Sequence, residues 1–304
     1  MAKKSTSSSQ AQHFSTTLEL NLAEKLKQGL EEQGFDLSQP QYTIFSGKKK
    51  GITCTLYQSG KLLVQGKAMQ EFIEFYLEPE ILGNFSFSCK ELLLDKTERI
   101  GVDEAGKGDF FGPLCIAGVH GKSESIEELH SLGVCDSKRI NDRKILDLSK
   151  KIKKICTHHI VTINPKKYNE LYKKFLNLNH LLAWGHATAI ENLINTTKCQ
   201  NVLIDQFANE RVVETALEKK NLSPQLKQRH RAEEDIIVAA ASILARSAFL
   251  EGLAKLNHQY SFNLLKGASA KVVALGKKLV AEHGVEILSN IGKIHFKTYD
   301  DILL

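Results

Sequence analysis

Two adjacent acids and a glycine-rich turn are the residues of this sequence best suited to chemistry. Asp103 and Glu104 end a short apolar run, and Gly106, Lys107 and Gly108 follow directly. Carboxylates at the end of a buried strand are costly unless they are hydrated, paired or neutralised by a cation. Mg²⁺ prefers a few carboxylates together with water and phosphate oxygens. The pair therefore favours a divalent metal site over the alternative, a tight turn with two surface acids.

The glycines allow a ligand to approach the backbone closely. Gly106 and Gly108 carry no Cβ, so their N–H groups and carbonyls are available to a phosphate or a sugar, and Lys107 adds a cation. The spacing is GxGxxxG, which is neither the phosphate loop GxxxxGK[ST] nor the dinucleotide pattern GxGxxG. ATP-binding and NAD-binding loops are excluded on these letters.

A third acid follows another apolar run. Asp205 directly follows the apolar segment Val202–Ile204. This pattern is typical of a buried parallel strand whose carboxyl end opens on a site. Taken by itself, Asp205 could equally be the N-cap of a helix.

A fourth acid precedes the most apolar helix of the chain. At 3.6 residues per turn, Asp235 shares one face with Ala239 and Ser242, and this small-residue face can pack on a sheet. Asp235 would then point toward Asp103 and Asp205. The alternatives are a charge that only stabilises the helix N-terminus, or Glu233 or Glu234 in the same role.

The first part of the chain predicts a small α+β domain. Leucines at helical spacing indicate a helix over Leu18–Gln33, and Gly51–Tyr57 and Lys61–Gln65 read as a hairpin. We assign residues 1–14 to a flexible tail, 15–84 to a substrate-binding domain and 85–96 to a linker.

Residues 97–304 predict an α/β domain, because strand-like runs alternate with helical segments. The expected strands include Ile100–Asp103 and Cys115–His120. The expected helices are Glu127–Leu132, Asn141–Ile155, Tyr168–Phe175, Leu181–Asn195 and Ile236–Leu256.

The charge distribution favours a polyanionic partner. The formal net charge is +6, and the interval between Asp36 and Glu71 contains no acidic residue. Its lysines form either a phosphate-contacting face or a solvated loop; those we select as candidates are Lys48, Lys49, Lys50 and Lys61.

The remaining composition points to a cytoplasmic protein without a membrane span. The six cysteines form no CxxC pair and no zinc-type spacing with histidine, so reduced and mostly buried thiols are expected. The first residues are rich in serine and lysine and lack the apolar core of a secretory signal.

Four separated motifs, in this order, resemble bacterial ribonuclease HIII. They are DEAGKGDFFGPL, the triplet Asp136-Ser137-Lys138, LNLNHLLAWGHATAIENL and AAASILARSAFL. The resemblance implies a ribonuclease H-like catalytic domain that hydrolyses the RNA strand of RNA/DNA hybrids and leaves 5′-phosphate and 3′-hydroxyl ends. It also implies Mg²⁺ or Mn²⁺, two ions in the substrate complex, held by the quartet Asp103, Glu104, Asp205 and Asp235.

The resemblance also implies how substrate is held. Backbone groups from Glu104 to Gly108 would read the 2′-hydroxyl, and Lys107, Ser137 and Lys138 would touch phosphates. The N-terminal domain would be similar to the TATA-box-binding-protein fold and would use its lysines on the hybrid. A monomer is expected.

Two alternatives compete with this interpretation. The first is a type II ribonuclease H specialised for single embedded ribonucleotides, which shares the acid, glycine-turn and DSK-like motifs. The second is a non-catalytic protein that binds hybrids or DNA, in which the acids have only structural roles.

Overall fold

The computed structural model describes residues 13–83, 94–134, 137 and 140–304. The chain divides into two compact units, residues 1–88 and 89–304. Most of the linker that we assigned to residues 85–96 lies outside the described residues, so that boundary stays a prediction.

The N-terminal unit is an antiparallel sheet with two helices, which agrees with the predicted α+β domain. Its strands lie in the order β1-β5-β4-β3-β2, and β4 alternates buried and half-buried residues as expected for a sheet with one face on a core. The bounds are β1 His13–Thr17, α1 Ala23–Glu32, β2 Asp36–Ser38, β3 Thr43–Lys49, β4 Ile52–Tyr57, β5 Lys61–Gln65, and α2 Met69–Phe72, which continues as a π-helix over Ile73–Leu82.

The boundary of the predicted tail is wrong by two residues. Strand β1 starts at His13 and pairs antiparallel with β5, with Phe14 opposite Val64. Phe14 is 8% exposed and belongs to the core of this unit. The strand is stabilised by pairing with β5 and by burial of this phenylalanine. The serine-rich local sequence contains no pattern from which that distant contact could be predicted. The rest of the predicted tail lies outside the described residues.

The second unit is built on a mixed five-stranded sheet in the order β10-β9-β6-β7-β8. Strand β9 pairs parallel with both β10 and β6, whereas β6 with β7 and β7 with β8 pair antiparallel. The strand bounds are β6 Arg99–Ala105, β7 Leu114–Gly121, β8 Thr157–Ile163, β9 Asn201–Asp205 and β10 Gln225–Arg229. Strands β8 and β10 were not predicted.

Nine helices accompany this sheet in the part of the chain that the structure describes. They are α3 Ser123–Ser131, α4 Asp142–Ile155, α5 Pro165–Phe175, α6 Leu178–Thr197, α7 Glu210–Glu218, α8 Ile236–Tyr260, α9 Ala270–His283, with the short α10 Ile287–Ile291 and α11 Lys297–Leu303 grouped beside α9. Each predicted helix corresponds to one of them.

Helices α8 and α6 cover opposite faces of the sheet. A Cβ at Gly101 would lie 2.7 Å from the backbone nitrogen of Val238 in α8, and a Cβ at Gly118 would lie 2.6 Å from Leu193 in α6. Successive residues of a strand point to opposite faces. Helix α8 therefore lies over the odd-numbered residues of β6, and α6 over the even-numbered ones.

Helix α8 has the length and hydropathy of a membrane span, but 72% of its apolar window is buried inside the protein. Its apolar character therefore has an explanation in the core of the second unit.

The cysteines of the described residues are free and buried, as predicted. They are Cys54, Cys115, Cys156 and Cys199, while Cys89 and Cys135 lie outside the described residues.

Candidate active site

The acids Asp103 and Asp205 meet where two parallel strands end. Val102 of β6 is in register with Ile204 of β9, so the next residue of each strand, Asp103 and Asp205, lies at the same edge of the sheet. The nearby Asp205 carboxylate adds to the raised pKa of Asp103, after burial and the Glu104 carboxylate. The strand-end arrangement expected from the sequence is present.

Asp205 is fixed by the backbone that leads into α8. Its Oδ1 accepts a hydrogen bond from the Ala232 N–H at 3.1 Å. Ala232 begins a short 3₁₀ turn that ends at Glu234, just before Asp235. This contact brings the segment that carries Glu233 against the acidic cluster.

Glu104 points to the face covered by α6, where His186 and Lys107 hydrogen-bond to its carboxylate. Its Oε2 lies 3.0 Å from Nε2 of His186, a residue of α6 that is fully buried, and its Oε1 lies 3.2 Å from Nζ of Lys107. Burial would raise the pKa of Glu104, but the hydrogen bonds and charges of His186 and Lys107 outweigh it and lower the pKa. Glu104 is therefore kept ionised.

Asp103 points to the face covered by α8, and its pKa is shifted in the opposite direction from that of Glu104. Burial raises the pKa of Asp103 well above its usual range, and the Glu104 and Asp205 carboxylates add to this, against hydrogen bonds from Ser242 and from the Glu104 N–H. The cluster thus carries more negative charge than its protein partners offset. A divalent cation would supply the missing compensation, and an all-oxygen carboxylate set suits Mg²⁺ or Mn²⁺.

The turn after the acids has the geometry that the glycines were expected to permit. Gly106 has φ +86°, and a Cβ there would lie 2.2 Å from the Pro113 carbonyl oxygen, whereas a Cβ at Gly108 would meet nothing within 4 Å. Gly106 is required by the fold. The Gly108 backbone is open to solvent and can be reached by a ligand.

A buried lysine far along the chain clamps this turn. Lys293 is 0% exposed, and its Nζ donates to the carbonyl oxygens of Asp109 at 2.7 Å and Gly112 at 2.8 Å. Burial lowers the pKa of Lys293 to about 8. The carboxylate of Asp109 in turn accepts from the Gly267 N–H at 2.6 Å. The C-terminal segment therefore fixes the shape of the turn that follows the acids.

Comparison with known proteins identifies the family. A family model described as Ribonuclease HII matches residues 100–299, and a domain of unknown function (DUF3378) matches residues 13–86. Ribonuclease HIII of Protochlamydia amoebophila is 57% identical over 290 residues, covering 95% of this chain and 96% of that protein. Ribonuclease HIII of Chlamydia muridarum is 50% identical over 293 residues, covering 95% and 97%.

The chain belongs to the ribonuclease HIII family.

Solved structures agree with this membership. The crystal structure of Bst-RNase HIII in complex with Mn²⁺ matches with a TM-score of 0.65 and 26% identity, covering 96% of this chain and 98% of that one. Aquifex aeolicus RNase H3 matches with a TM-score of 0.56 and 27% identity, covering 92% and 99%. The protein is thus a ribonuclease H, an endonuclease that acts on RNA/DNA hybrids, and its second unit has the ribonuclease H-like fold that the motifs predicted.

The structure corrects the prediction that Asp235 joins the acidic cluster of this ribonuclease HIII. Oδ1 of Asp235 caps α8 by accepting from the N–H groups of Ile237 and Val238, and Oδ2 lies 2.9 Å from Nε and 2.7 Å from Nη2 of Arg99. Arg99 begins β6, four residues before Asp103, or about 13 Å along the strand. A buried guanidinium needs a counter-charge, and Asp235 provides it.

Of the two residues of the triplet Asp136-Ser137-Lys138 that were predicted to contact phosphates, the structure describes only Ser137. Lys138 lies outside the described residues. Ser137 is 4% exposed, its hydroxyl lies 2.8 Å from that of Ser242, and its carbonyl oxygen accepts from Arg246. Because Ser242 hydrogen-bonds to Asp103, Ser137 reaches the site through Ser242. The expected direct contact of its hydroxyl with phosphate is not supported.

The predicted lysines of the N-terminal unit are all exposed, on or beside its strands. Lys49 is partly engaged, since its Nζ donates to the Gln33 carbonyl oxygen at 2.7 Å and lies 5.7 Å from the Phe35 ring centroid. Lys48 and Lys50 flank it, and Lys61 begins β5.

Sequence reasoning missed His186, although a signal was present. At helical spacing, Leu182, His186, Ala189 and Leu193 share the face of α6 that packs on the sheet, and histidine is the one residue of this set with a polar side chain. A histidine on an otherwise apolar buried face requires a polar partner. The identity of that partner, Glu104, could be found only in the fold.

Replacing Asp235 with Asn is expected to destabilise the protein without weakening divalent metal binding. Asn still caps a helix, but Arg99 would be left as an unpaired buried charge, which costs about 3–5 kcal/mol. Urea denaturation measures the loss, and Mn²⁺ titration by calorimetry measures the affinity. Glu127→Gln, which breaks an exposed pair with Lys96, is the control and should cost less than about 1 kcal/mol. Unchanged stability together with lost Mn²⁺ affinity would restore Asp235 to the metal site.

Replacing His186 with Leu is expected to weaken Mn²⁺ binding by about 10–100-fold, the usual effect of losing a partner that orients a metal ligand. His186→Gln, which keeps a donor, should recover part of the affinity. The matched control is His180→Leu, an exposed histidine on the same helix, which should bind Mn²⁺ like the unmodified protein. Equal affinities for all three variants would show that His186 does not orient Glu104.

Proposed function

We propose that Asp103, Glu104, Asp205 and Glu233 hold the divalent cations with which this enzyme hydrolyses the RNA strand of a hybrid. The observation that carries the proposal is the meeting of Asp103 and Asp205 at the ends of parallel strands, with Glu104 beside them. The solved relative Bst-RNase HIII is in complex with Mn²⁺, which supports a divalent ion here.

Glu233 takes the position that we first assigned to Asp235. It is half-buried and adjoins Ala232, whose N–H donates to Asp205. Glu234 points elsewhere, since its Oε1 lies 3.9 Å from Nη1 of Arg231 in a largely exposed pair. Of Glu233 and Glu234, the two alternatives to Asp235 in the sequence, Glu233 is therefore the one that we assign to the cations.

The cations are Mg²⁺ or Mn²⁺, two of them in the substrate complex. When bound, such ions activate water and stabilise the leaving 3′ oxygen of the scissile phosphate. This chemistry gives 5′-phosphate and 3′-hydroxyl ends.

The protein's own residues prepare the site for that use. His186 and Lys107 keep Glu104 ionised, and Ser242 hydrogen-bonds to the Asp103 carboxylate. Lys107 is 41% exposed and its Nζ lies 5.8 Å from the Phe207 ring centroid, so it can turn to a phosphate without leaving the site. The open backbone at Gly108 is suited to reading the 2′-hydroxyl, which both donates and accepts hydrogen bonds.

The N-terminal unit adds affinity for the hybrid. Its exposed lysines Lys48, Lys50 and Lys61 have no acidic residue near them in sequence, between Asp36 and Glu71. Lysine contacts to phosphates are indifferent to base identity and depend strongly on salt. Binding through this unit should therefore be insensitive to sequence. A cytoplasmic location and a monomeric state stay predictions.

Cleavage of an end-labelled hybrid tests the acid assignment. In Mg²⁺ and in Mn²⁺, Asp103→Asn should abolish cutting and Glu233→Gln should slow it at least ~100-fold, because losing a residue that only hydrogen-bonds to a metal ligand already costs ~10–100-fold. Glu234→Gln, the matched control, should stay within a few-fold of the unmodified enzyme. The reverse order of these two glutamines would transfer the role to Glu234.

The same assay separates the alternatives. A duplex with one embedded ribonucleotide measures type II behaviour, and DNA and RNA duplexes measure selectivity. Binding of the hybrid without cutting in either metal would favour the non-catalytic alternative.

Removing three N-terminal lysine charges should flatten the salt dependence of hybrid binding. For the triple change Lys48→Gln, Lys50→Gln and Lys61→Gln, the log–log slope should fall by about 2 to 3, near 0.9 per lost phosphate contact. The residues are exposed, so folding should be unaffected. The double change Lys271→Gln and Lys277→Gln on α9 is the control for charge removal elsewhere. An unchanged slope in the triple variant would count against the N-terminal unit.

A further inference from the structure

A second cluster of metal-ligating side chains lies at the other end of the sheet. Glu98 immediately precedes β6, His120 is in β7, and Cys199 lies between α6 and β9. One oxygen of Glu98, one ring nitrogen of His120 and Sγ of Cys199 all lie within 4.8 Å of one another. None of these residues belongs to the acidic cluster described above.

Strand pairing brings the three residues together. Residue 100 of β6 pairs with His120 of β7 and with Val202 of β9, so the start of β6 lies between the other two segments. The Asn201 side-chain amide donates to the Glu98 carbonyl oxygen at 3.1 Å. The cluster therefore rests on the central strands of the sheet, where the backbone is fixed.

The ligand atoms of the three side chains lie close to the spacing that a bound metal ion requires. Nε2 of His120 lies 2.7 Å from Oε1 of Glu98, with the histidine side chain 11% exposed and the glutamate 54% exposed. Cys199 is 8% exposed. In a tetrahedral zinc site, bonds of about 2.0–2.3 Å place neighbouring ligand atoms roughly 3.3–3.8 Å apart. The separations of the three ligand atoms, from 2.7 Å to at most 4.8 Å, therefore differ from tetrahedral spacing by about 1 Å or less.

The donor set selects one class of ion. Thiolate and imidazole suit Zn²⁺, whereas Mg²⁺ and Mn²⁺ prefer oxygen ligands.

We propose that Glu98, His120 and Cys199 form a Zn²⁺ site, with solvent at the fourth position on the exposed side of Glu98. Glu98 precedes Asp103 by five residues, or about 16 Å of extended strand, so the site is separate from the catalytic acids. The ion would join the start of β6, the end of β7 and the chain that enters β9.

Cobalt substitution tests the site with a signal that the catalytic acids cannot give. Full-length protein stripped with a chelator is titrated with Co²⁺, and the near-ultraviolet charge-transfer band of a cobalt–thiolate bond is followed. One equivalent should produce the band, and Zn²⁺ should remove it. The band should persist in Asp103→Asn, since the acidic cluster contains no thiol.

Three variants connect the band to these residues. Cys199→Ser should eliminate it, and Cys156→Ser, which changes another buried cysteine, should leave it intact. Glu98→Gln alters an exposed side chain and should keep the fold while weakening Co²⁺ affinity by more than ~10-fold, at the low end of effects on metal-site partners. No band at one equivalent of Co²⁺, or a band that survives Cys199→Ser, would overturn the proposal.

Thermal unfolding gives an independent readout. Zn²⁺ bound only by the folded state raises the melting temperature by mass action. The unmodified protein and Cys156→Ser should show this rise, and Cys199→Ser should not. An equal rise in all three proteins would place the zinc elsewhere and overturn the proposal.

Discussion

The close contact between α8 and β6 is the constraint on which the catalytic site depends. At Gly101 the helix backbone comes so near that a Cβ would lie 2.7 Å from the Val238 nitrogen. This contact fixes the helix in register with the strand, with Asp235 against Arg99 at one end and Ser242 against Asp103 further along. Interiors are close-packed and transmit displacement, so any side chain at position 101 would move Ser242, the serine that hydrogen-bonds to Asp103.

Alternation along the same strand gives the two adjacent acids different environments. Asp103 faces α8, where burial and neighbouring carboxylates raise its pKa, and Glu104 faces α6, where His186 and Lys107 lower it. The pKa of Glu104 is therefore lowered and that of Asp103 raised, although the two residues are adjacent. Because a carboxylate must be ionised to bind a cation, metal affinity at such a site depends on pH.

The helices that flank the strand contribute more than burial. Helix α6 supplies a fully buried imidazole, and α8 supplies a hydroxyl that links Asp103 to Ser137. From the C-terminal segment, Lys293 fixes the turn that carries Gly106 and Gly108. Sites whose ligands are held by such partners are rigid before substrate binds, which reduces the cost of ordering them during the reaction.

The sequence by itself determined the family, the chemistry and most elements, because these depend on local pattern. Asp103 and Glu104 at a strand end, the glycine turn and the apolar helix after Asp235 all follow from residue types and spacing. Strand β1 could not be predicted from local pattern because it depends on a partner 50 residues away, with Phe14 opposite Val64. Only the tertiary structure showed which residue pairs with Asp235. Periodicity placed Asp235 on the correct face of α8, but the buried Arg99, 136 residues earlier, takes its carboxylate. A helical pattern specifies direction around an axis and not position along it, so the pairing of α8 with β6 had to be seen in three dimensions.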